Sequence, residues 1–155
     1  MIMKNENSLL AQLIESFKIL PGIGEKSAQR MAFYLLEKNR DGGVKLARLI
    51  SSSMDQIRNC SSCRTLTEEK VCNICSSEKR EKSLLCVVEN PTDIIAIESS
   101  GSFKGKYFVL MGRLSPIDGI TPEDLGIPML IDRIDESEVK EIIIATSPTV
   151  EGDAT

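Results

Sequence analysis

Apolar residues recur every three or four positions over the first third of the chain. This spacing puts them on one face of a helix, so it predicts amphipathic helices at residues 8–20, 25–38 and 43–57. The turn Asp41-Gly-Gly43 is expected to precede the third helix. The stripe expected to be buried on that helix consists of Val44, Ala47, Ile50, Met54 and Ile57.

The pattern changes after residue 83, where short apolar runs alternate with helical segments. Asn90 can cap a helix that begins at Pro91, and a partly helical segment at 122–134 is expected to be broken by Pro128. Strands that alternate with helices form a parallel sheet, so the rear of the chain is predicted to be α/β and the whole chain α+β multidomain. The predicted strands are 84–88, 107–111 and 141–146.

Four cysteines stand in two pairs in the middle of the chain, and two residues separate the members of each pair. This spacing lets a tight turn point both sulfurs at one ion, and two facing turns complete a tetrahedral site with no open position. We interpret it as one structural zinc per chain, with a rubredoxin-like iron site or a redox dithiol pair as the alternatives. The expected ligands are Cys60, Cys63, Cys72 and Cys75.

The segment Leu20-Pro-Gly-Ile-Gly24 separates the first two predicted helices. The amides of Gly22 and Gly24 at the start of a helix form an anion site, and the missing side chains let a DNA backbone come close. Lys26 and Arg30, four residues apart on the exposed face, can add two phosphate contacts. The alternative is an ordinary helical turn capped by glycine.

Charge is distributed unevenly along the chain. Residues 1–58 carry a balance of +3, residues 59–83 of +1 and residues 84–155 of −8, which gives the net charge of −4. A basic front and an acidic rear favour different partners, with a polyanion for the front. The chain has no histidine, the commonest general base. No apolar run is long enough to span a membrane, and cysteines in metal spacing without a secretory leader are typical of a cytoplasmic protein.

Acidic residues follow two of the predicted strands. Glu89 comes directly after the first strand, and Glu151 and Asp153 follow the third after a short loop. The arrangement resembles the Toprim fold, in which such carboxylates can bind magnesium beside a phosphodiester. We interpret these residues as a weak magnesium site or, preferably, as a docking surface for a basic protein.

Together, these segments resemble the RecR family of bacterial recombination mediators over nearly the whole chain. The resemblance implies residues 1–58 as a helix-hairpin-helix DNA-binding region, 59–83 as a four-cysteine zinc finger and 84–155 as a Toprim domain. The matching motifs are Leu20-Pro-Gly-Ile-Gly24 with Lys26-Ser-Ala-Gln-Arg30, Cys60 to Cys75, Val87-Val-Glu-Asn-Pro91, Leu114-Ser-Pro-Ile-Asp-Gly119 and Ala145-Thr-Ser-Pro-Thr-Val-Glu-Gly152.

The resemblance implies a non-enzymatic, nucleoid-associated protein that acts at gapped or single-stranded DNA and helps RecO and RecF load RecA. It implies that Lys26 and Arg30 contact DNA, that the acidic Toprim face with Glu151 contacts RecO, and that the chain assembles into a homodimer or a tetrameric ring. Family members have a further strand and helix after the point where this chain stops, so an incomplete Toprim sheet with an open edge is expected.

Two other functions stay open at this point. One is a magnesium-dependent Toprim nuclease or topoisomerase-like fragment that uses Glu89, Glu151 and Asp153. The other is a zinc-stabilised protein-interaction module that does not bind DNA.

Overall fold

The computed structural model describes residues 8–115, 117–136 and 138–155, with all side chains in these ranges except those of Glu136, Val150 and Asp153. The chain divides into two compact units, one ending at Asp55 and the other running from Gln56 to Thr155. Each unit is built from elements that lie next to one another in sequence.

The first unit is helical. Ser8 caps α1, because its Oγ accepts a hydrogen bond from the Ala11 amide at 3.1 Å. A small core forms where α1 meets α2, around Ile14, Ala28 and Ala32. The second helix has the bounds that the sequence predicted. The helices are α1 (Leu9–Phe17), α2 (Glu25–Lys38) and α3 (Arg40–Gln56).

Two predictions about α3 are wrong. The helix begins at Arg40, so Gly42 and Gly43 lie in its first turn and not in a turn before it. Asn39 explains the early start, because its Oδ1 accepts from the Gly42 amide and its carbonyl accepts from the Gly43 amide, each at 3.0 Å. The predicted stripe is not buried among the described residues: α3 has no buried residue, and Met54 is 76% exposed.

The second unit begins with the cysteine segment. The cysteine segment consists of a short antiparallel pair of strands, β1 (Arg58–Asn59) and β2 (Leu66–Thr67), followed by the single helical turn α4 (Asn73–Ser76). Cys72 caps that turn, since its Sγ accepts from the Cys75 amide at 3.5 Å. The segment therefore has little regular structure apart from the turns that carry the cysteines.

A three-stranded parallel sheet follows, with the order β4-β3-β5. Val88 lies opposite Val109 on one side and Ala145 on the other, so the carboxyl ends of all three strands are level. This confirms the predicted α/β architecture. The elements are β3 (Leu84–Val88), α5 (Pro91–Ser99), β4 (Lys106–Val109), α6 (Ile127–Glu136), β5 (Glu141–Ala145) and α7 (Val150–Ala154).

The sheet has a buried layer on each face. Leu85, Val87 and Phe108 face one layer, into which α6 packs, while Cys86 and Tyr107 face the other. Every residue of β5, by contrast, is exposed, whereas β4 at the other edge of the sheet is largely buried.

One further expectation needs correction. Pro128 does not break the helix near residue 130; it is the second residue of α6, where a missing amide hydrogen has no effect on the helix. As expected, Glu151 follows β5 after a short loop; it lies in the short helix α7, which Thr149 caps by accepting from the Gly152 amide at 3.2 Å.

Candidate metal centre and nucleic-acid interface

The four predicted zinc ligands come together in one buried cluster. The sulfur atoms of Cys60, Cys63, Cys72 and Cys75 all lie within 4.8 Å of one another. The sulfurs of Cys63 and Cys72 are 3.6 Å apart, close to the roughly 3.8 Å that a tetrahedral zinc ion with Zn–S bonds of about 2.3 Å requires. The donor set therefore fits a four-thiolate zinc ion.

Backbone amides around the cluster stabilise thiolate sulfur. The Cys60 Sγ accepts from the Ser62 amide at 3.4 Å and from the Cys72 amide at 3.3 Å. Burial alone would raise the pKa of Cys60, but these amide donors outweigh it and lower the pKa. A hydrogen bond with the Cys63 thiol lowers the pKa of Cys75 to about 5 and raises that of Cys63. Burial raises the pKa of Cys72, so only Cys60 and Cys75 lose their protons more readily than an ordinary cysteine.

Long polar side chains bind the cysteine turns to the sheet. Arg64, directly after the second cysteine, donates to the carbonyls of Leu110 at 3.2 Å, Asp124 at 3.1 Å and Leu125. Its guanidinium also lies over the Phe108 ring, 5.8 Å from the centroid. Arg64 therefore anchors the first cysteine turn to the end of β4 and to the segment before α6.

Arg133 and Lys106 make similar contacts with the carbonyl groups of the cysteine turns. Arg133 on α6 donates from Nη1 to the carbonyls of Ser62 at 2.8 Å and Tyr107 at 2.7 Å. The Lys106 ammonium donates to the Cys75 carbonyl at 2.9 Å. Sequence reasoning missed all three cations, because their partners are distant in sequence and no local pattern marks them.

The predicted phosphate site lies at the start of α2. Gly22 has a φ of +79°, a conformation that favours glycine, and Gly24 is the N-cap of α2 without a side-chain cap. A Cβ at Gly24 would meet no atom within 4 Å, so the surface above this helix end is open. Lys26 and Arg30 are exposed on the same helix, as predicted.

The acid nearest to this helix end is paired. Glu25 lies in the first turn of α2, and its carboxylate is 3.1 Å from the Lys18 ammonium, which also binds Glu15 at 2.7 Å. The hydrogen bonds that Lys18 donates to these two carboxylates raise its pKa. The pairing offsets the negative charge of Glu25 beside the proposed anion site.

The acidic residues predicted for magnesium or a partner are placed differently from one another. Glu89 is buried, and its carboxylate accepts from the amide and the hydroxyl of Ser147, each at 2.7 Å. Glu151 is exposed on α7, and the side chain of Asp153 lies outside the described residues. Within the described part of the chain, the four cysteines are the one group of three or more potential ligands close enough for a metal ion.

Comparison with protein families identifies three consecutive regions. Residues 10–54 match the RecR helix-hairpin-helix, residues 57–77 the RecR four-cysteine zinc finger domain, and residues 83–155 the Toprim domain. The zinc finger match, together with the close cysteine sulfurs, establishes one structural zinc site per chain. No helix in the described ranges is long and apolar enough to cross a membrane. A helical hairpin, a four-cysteine zinc site and a parallel Toprim sheet, in this order and with two matches specific to RecR, show that the chain belongs to the RecR family of recombination proteins.

Proposed function

We propose that the protein is a non-enzymatic mediator of recombinational DNA repair, which binds gapped or single-stranded DNA and helps RecO and RecF load RecA. The observation that carries the proposal is the open, glycine-lined start of α2 in a chain of the RecR family. We assign DNA contact to Gly22, Gly24, Lys26 and Arg30. The binding is independent of sequence, since amides and cations at a phosphate carry no base information.

The contribution of the two cations can be measured through salt dependence. Lys26→Ala with Arg30→Ala should weaken binding to labelled single-stranded DNA about tenfold. The slope of the logarithm of the association constant against the logarithm of the salt concentration should become less negative by about 1.4. The matched control is Lys70→Ala with Lys79→Ala, which removes the same charge from exposed positions of the second unit. Equal losses in both double variants would mean that only net charge matters and that the hairpin is not the binding site.

Gly24 allows a separate test of close approach by the DNA backbone. Its φ of −90° is available to any residue and the space around it is open, so Gly24→Ala should lower the free energy of unfolding only by the cost of alanine at an N-cap, about 1 kcal/mol. If a phosphate sits against the amides, the added methyl group should still weaken DNA binding several-fold. Unchanged affinity in a folded variant would remove Gly24 from the site.

The acidic rear of the chain is proposed as the contact for RecO. Residues 84–155 carry a balance of −8, and Glu151 is exposed, which supports a docking surface for a basic protein. Asp153 is proposed for the same surface. The carboxylate of Glu89 is engaged with Ser147, so we do not assign it to this surface. Assembly into a homodimer or a tetrameric ring is part of the same proposal and is tested by mass measurement in solution.

The enzymatic alternative is less well supported. A Toprim nuclease would need Glu89 as a magnesium ligand, and that carboxylate already accepts two hydrogen bonds from one serine. If the purified protein nicks plasmid DNA in magnesium and Glu89→Gln abolishes the nicking, the protein is a nuclease and not a non-enzymatic mediator. We expect no nicking by either protein.

A further inference from the structure

A cavity of about 560 Å³ lies in the second unit, between the first cysteine turn, the sheet and α6. Leu85 and Lys106, which are paired at the start of β3 and β4, line it. It therefore opens at the amino ends of the strands, whereas Glu89 follows the carboxyl end of β3. Its volume falls within the range of about 300–1,000 Å³ that is usual for ligand pockets.

Cations from three different segments face this cavity: Lys82, Lys106 and Arg133. Two of them are held in place, since the hydrogen bonds of Arg133 to Ser62 and Tyr107 fix its guanidinium and that of Lys106 to Cys75 fixes its ammonium. The Arg133 guanidinium has five N–H donors, and its two hydrogen bonds to described residues both come from Nη1. The other edge of the group is therefore available for a carboxylate.

The remaining lining indicates which kind of anion fits. Asp132 and Glu138 also face the cavity, so its balance of charge is only +1, which disfavours a polyanion such as a DNA strand. Met129 and Val139, which are exposed and half-buried, respectively, supply an apolar surface beside the cations. A ligand that matches both parts carries a single carboxylate next to an apolar side chain.

We propose that this cavity binds an acidic peptide segment of a partner protein. A carboxylate of the peptide pairs with Arg133 and Lys106, and an adjacent apolar side chain packs on Met129 and Val139. Ser62 joins this site to the metal centre, because its carbonyl holds Arg133 and its amide donates to the sulfur of Cys60. The zinc turn is thus one wall of a protein-binding pocket.

The probe is the fluorescein-labelled peptide Gly-Ser-Leu-Asp-Leu-Asp with a free carboxyl terminus. Its control is the same peptide with Asn in place of Asp and an amidated terminus. We expect the acidic peptide to bind with micromolar affinity, the neutral peptide to bind at least tenfold more weakly, and the amide resonances of Ser62 and Arg133 to shift on binding. No DNA is present, so failure here is independent of the proposed DNA binding.

Variants at the rim test the site without disturbing its hydrogen bonds. Lys82→Glu should weaken binding of the acidic peptide about tenfold, and Glu138→Gln should strengthen it about threefold, since each changes the charge that faces the carboxylate. Lys79→Glu is the matched control, because Lys79 is exposed in the same segment and does not line the cavity. It should leave the affinity unchanged.

Three results would overturn the proposal. One is no change of anisotropy with the acidic peptide up to about 1 mM protein. Another is an equal loss in Lys82→Glu and Lys79→Glu, which would indicate only non-specific attraction. The third is displacement of the peptide by millimolar inorganic phosphate with shifts at the same amides, which would assign the cavity to phosphate.

Discussion

The two compact units stabilise their folds in different ways. In the helical unit the buried core consists of Ile14, Ala28 and Ala32, and α3 has no buried residue among those described. The second unit buries a layer on each face of its sheet and adds a cluster of four cysteines. The helical unit therefore depends on contacts between neighbours in sequence, whereas the second unit depends on distant contacts and on a metal ion. Removal of single interactions should affect the two units unequally.

Loss of zinc should produce the largest difference between the two units, because it should unfold part of the second unit and leave the first unit folded. Structural zinc contributes an apparent 10–16 kcal/mol or so to the folding of small domains. Cys72→Ser should abolish stoichiometric zinc and should remove amide-exchange protection from the cysteine segment and from Val109, whose amide donates to the Cys63 carbonyl at 2.9 Å. Protection in α1 and α2 should persist, because the described residues of their core all belong to the first unit. Equal loss of protection in both units would contradict the comparison.

Arg64 should give the next largest effect. Arg64→Met leaves the carbonyls of Leu110, Asp124 and Leu125 without this donor and should lower the free energy of unfolding by about 3 kcal/mol. The matched control is Arg58→Met on the exposed strand β1, which should change it by less than about 0.5 kcal/mol. Urea denaturation followed by circular dichroism measures both. Similar losses in the two variants would mean that the hydrogen bonds of Arg64 contribute nothing beyond its charge.

The sequence predicted best where local chemistry alone decides the structure. The bounds of α2 follow from a glycine at one end and Asn39 at the other, and β3 is a continuous apolar run because the sheet is covered on both faces. The cysteine spacing likewise determined the metal site. In these cases, the signal lies within a few residues of the feature.

The predictions that were wrong or missing concern contacts between residues that lie far apart in sequence. An apolar stripe on α3 predicts a face that can be covered, but it contains no information about what covers it. The partners of Arg64 lie 46 to 61 residues away, and one partner of Arg133 lies 71 residues away, so no local pattern could have found them. Glu89 was correctly noticed as an acid after a strand, but Ser147, which binds it, lies 58 residues further on.

Substitution of Glu89 tests whether a contact between residues distant in sequence stabilises the second unit. Glu89→Gln replaces a charged acceptor of two hydrogen bonds with a neutral amide and should lower the free energy of unfolding by about 1–2 kcal/mol. Ser147→Ala should lower it by a similar amount, and the double variant should be less destabilised than the sum of the two. Thermal denaturation of the three variants measures this coupling. Additive losses would show that the two side chains act independently.

The smallest expected effect is a dependence of stability on pH through Glu98. A hydrogen bond from Arg80 is the main cause that lowers the pKa of Glu98, and the Tyr107 hydroxyl also donates to this carboxylate at 2.6 Å. A carboxyl with a depressed pKa stabilises the fold above its unfolded pKa, near 4.5, and this contribution is lost as the pH falls through the folded value.

Because the pair is partly exposed to solvent, the contribution at pH 7 should be only about 1 kcal/mol. Glu98→Gln should therefore reduce stability at pH 7 and flatten its decline below pH 5, whereas Glu78→Gln, at an exposed position of the same unit, should leave both unchanged. Urea denaturation between pH 3 and 7 measures the two slopes. If stability declines identically with falling pH in Glu98→Gln and in the parent chain, other carboxyl groups cause the decline. The Arg80–Glu98 ion pair, which joins α5 to the segment before β3, would then contribute nothing to the free energy of unfolding.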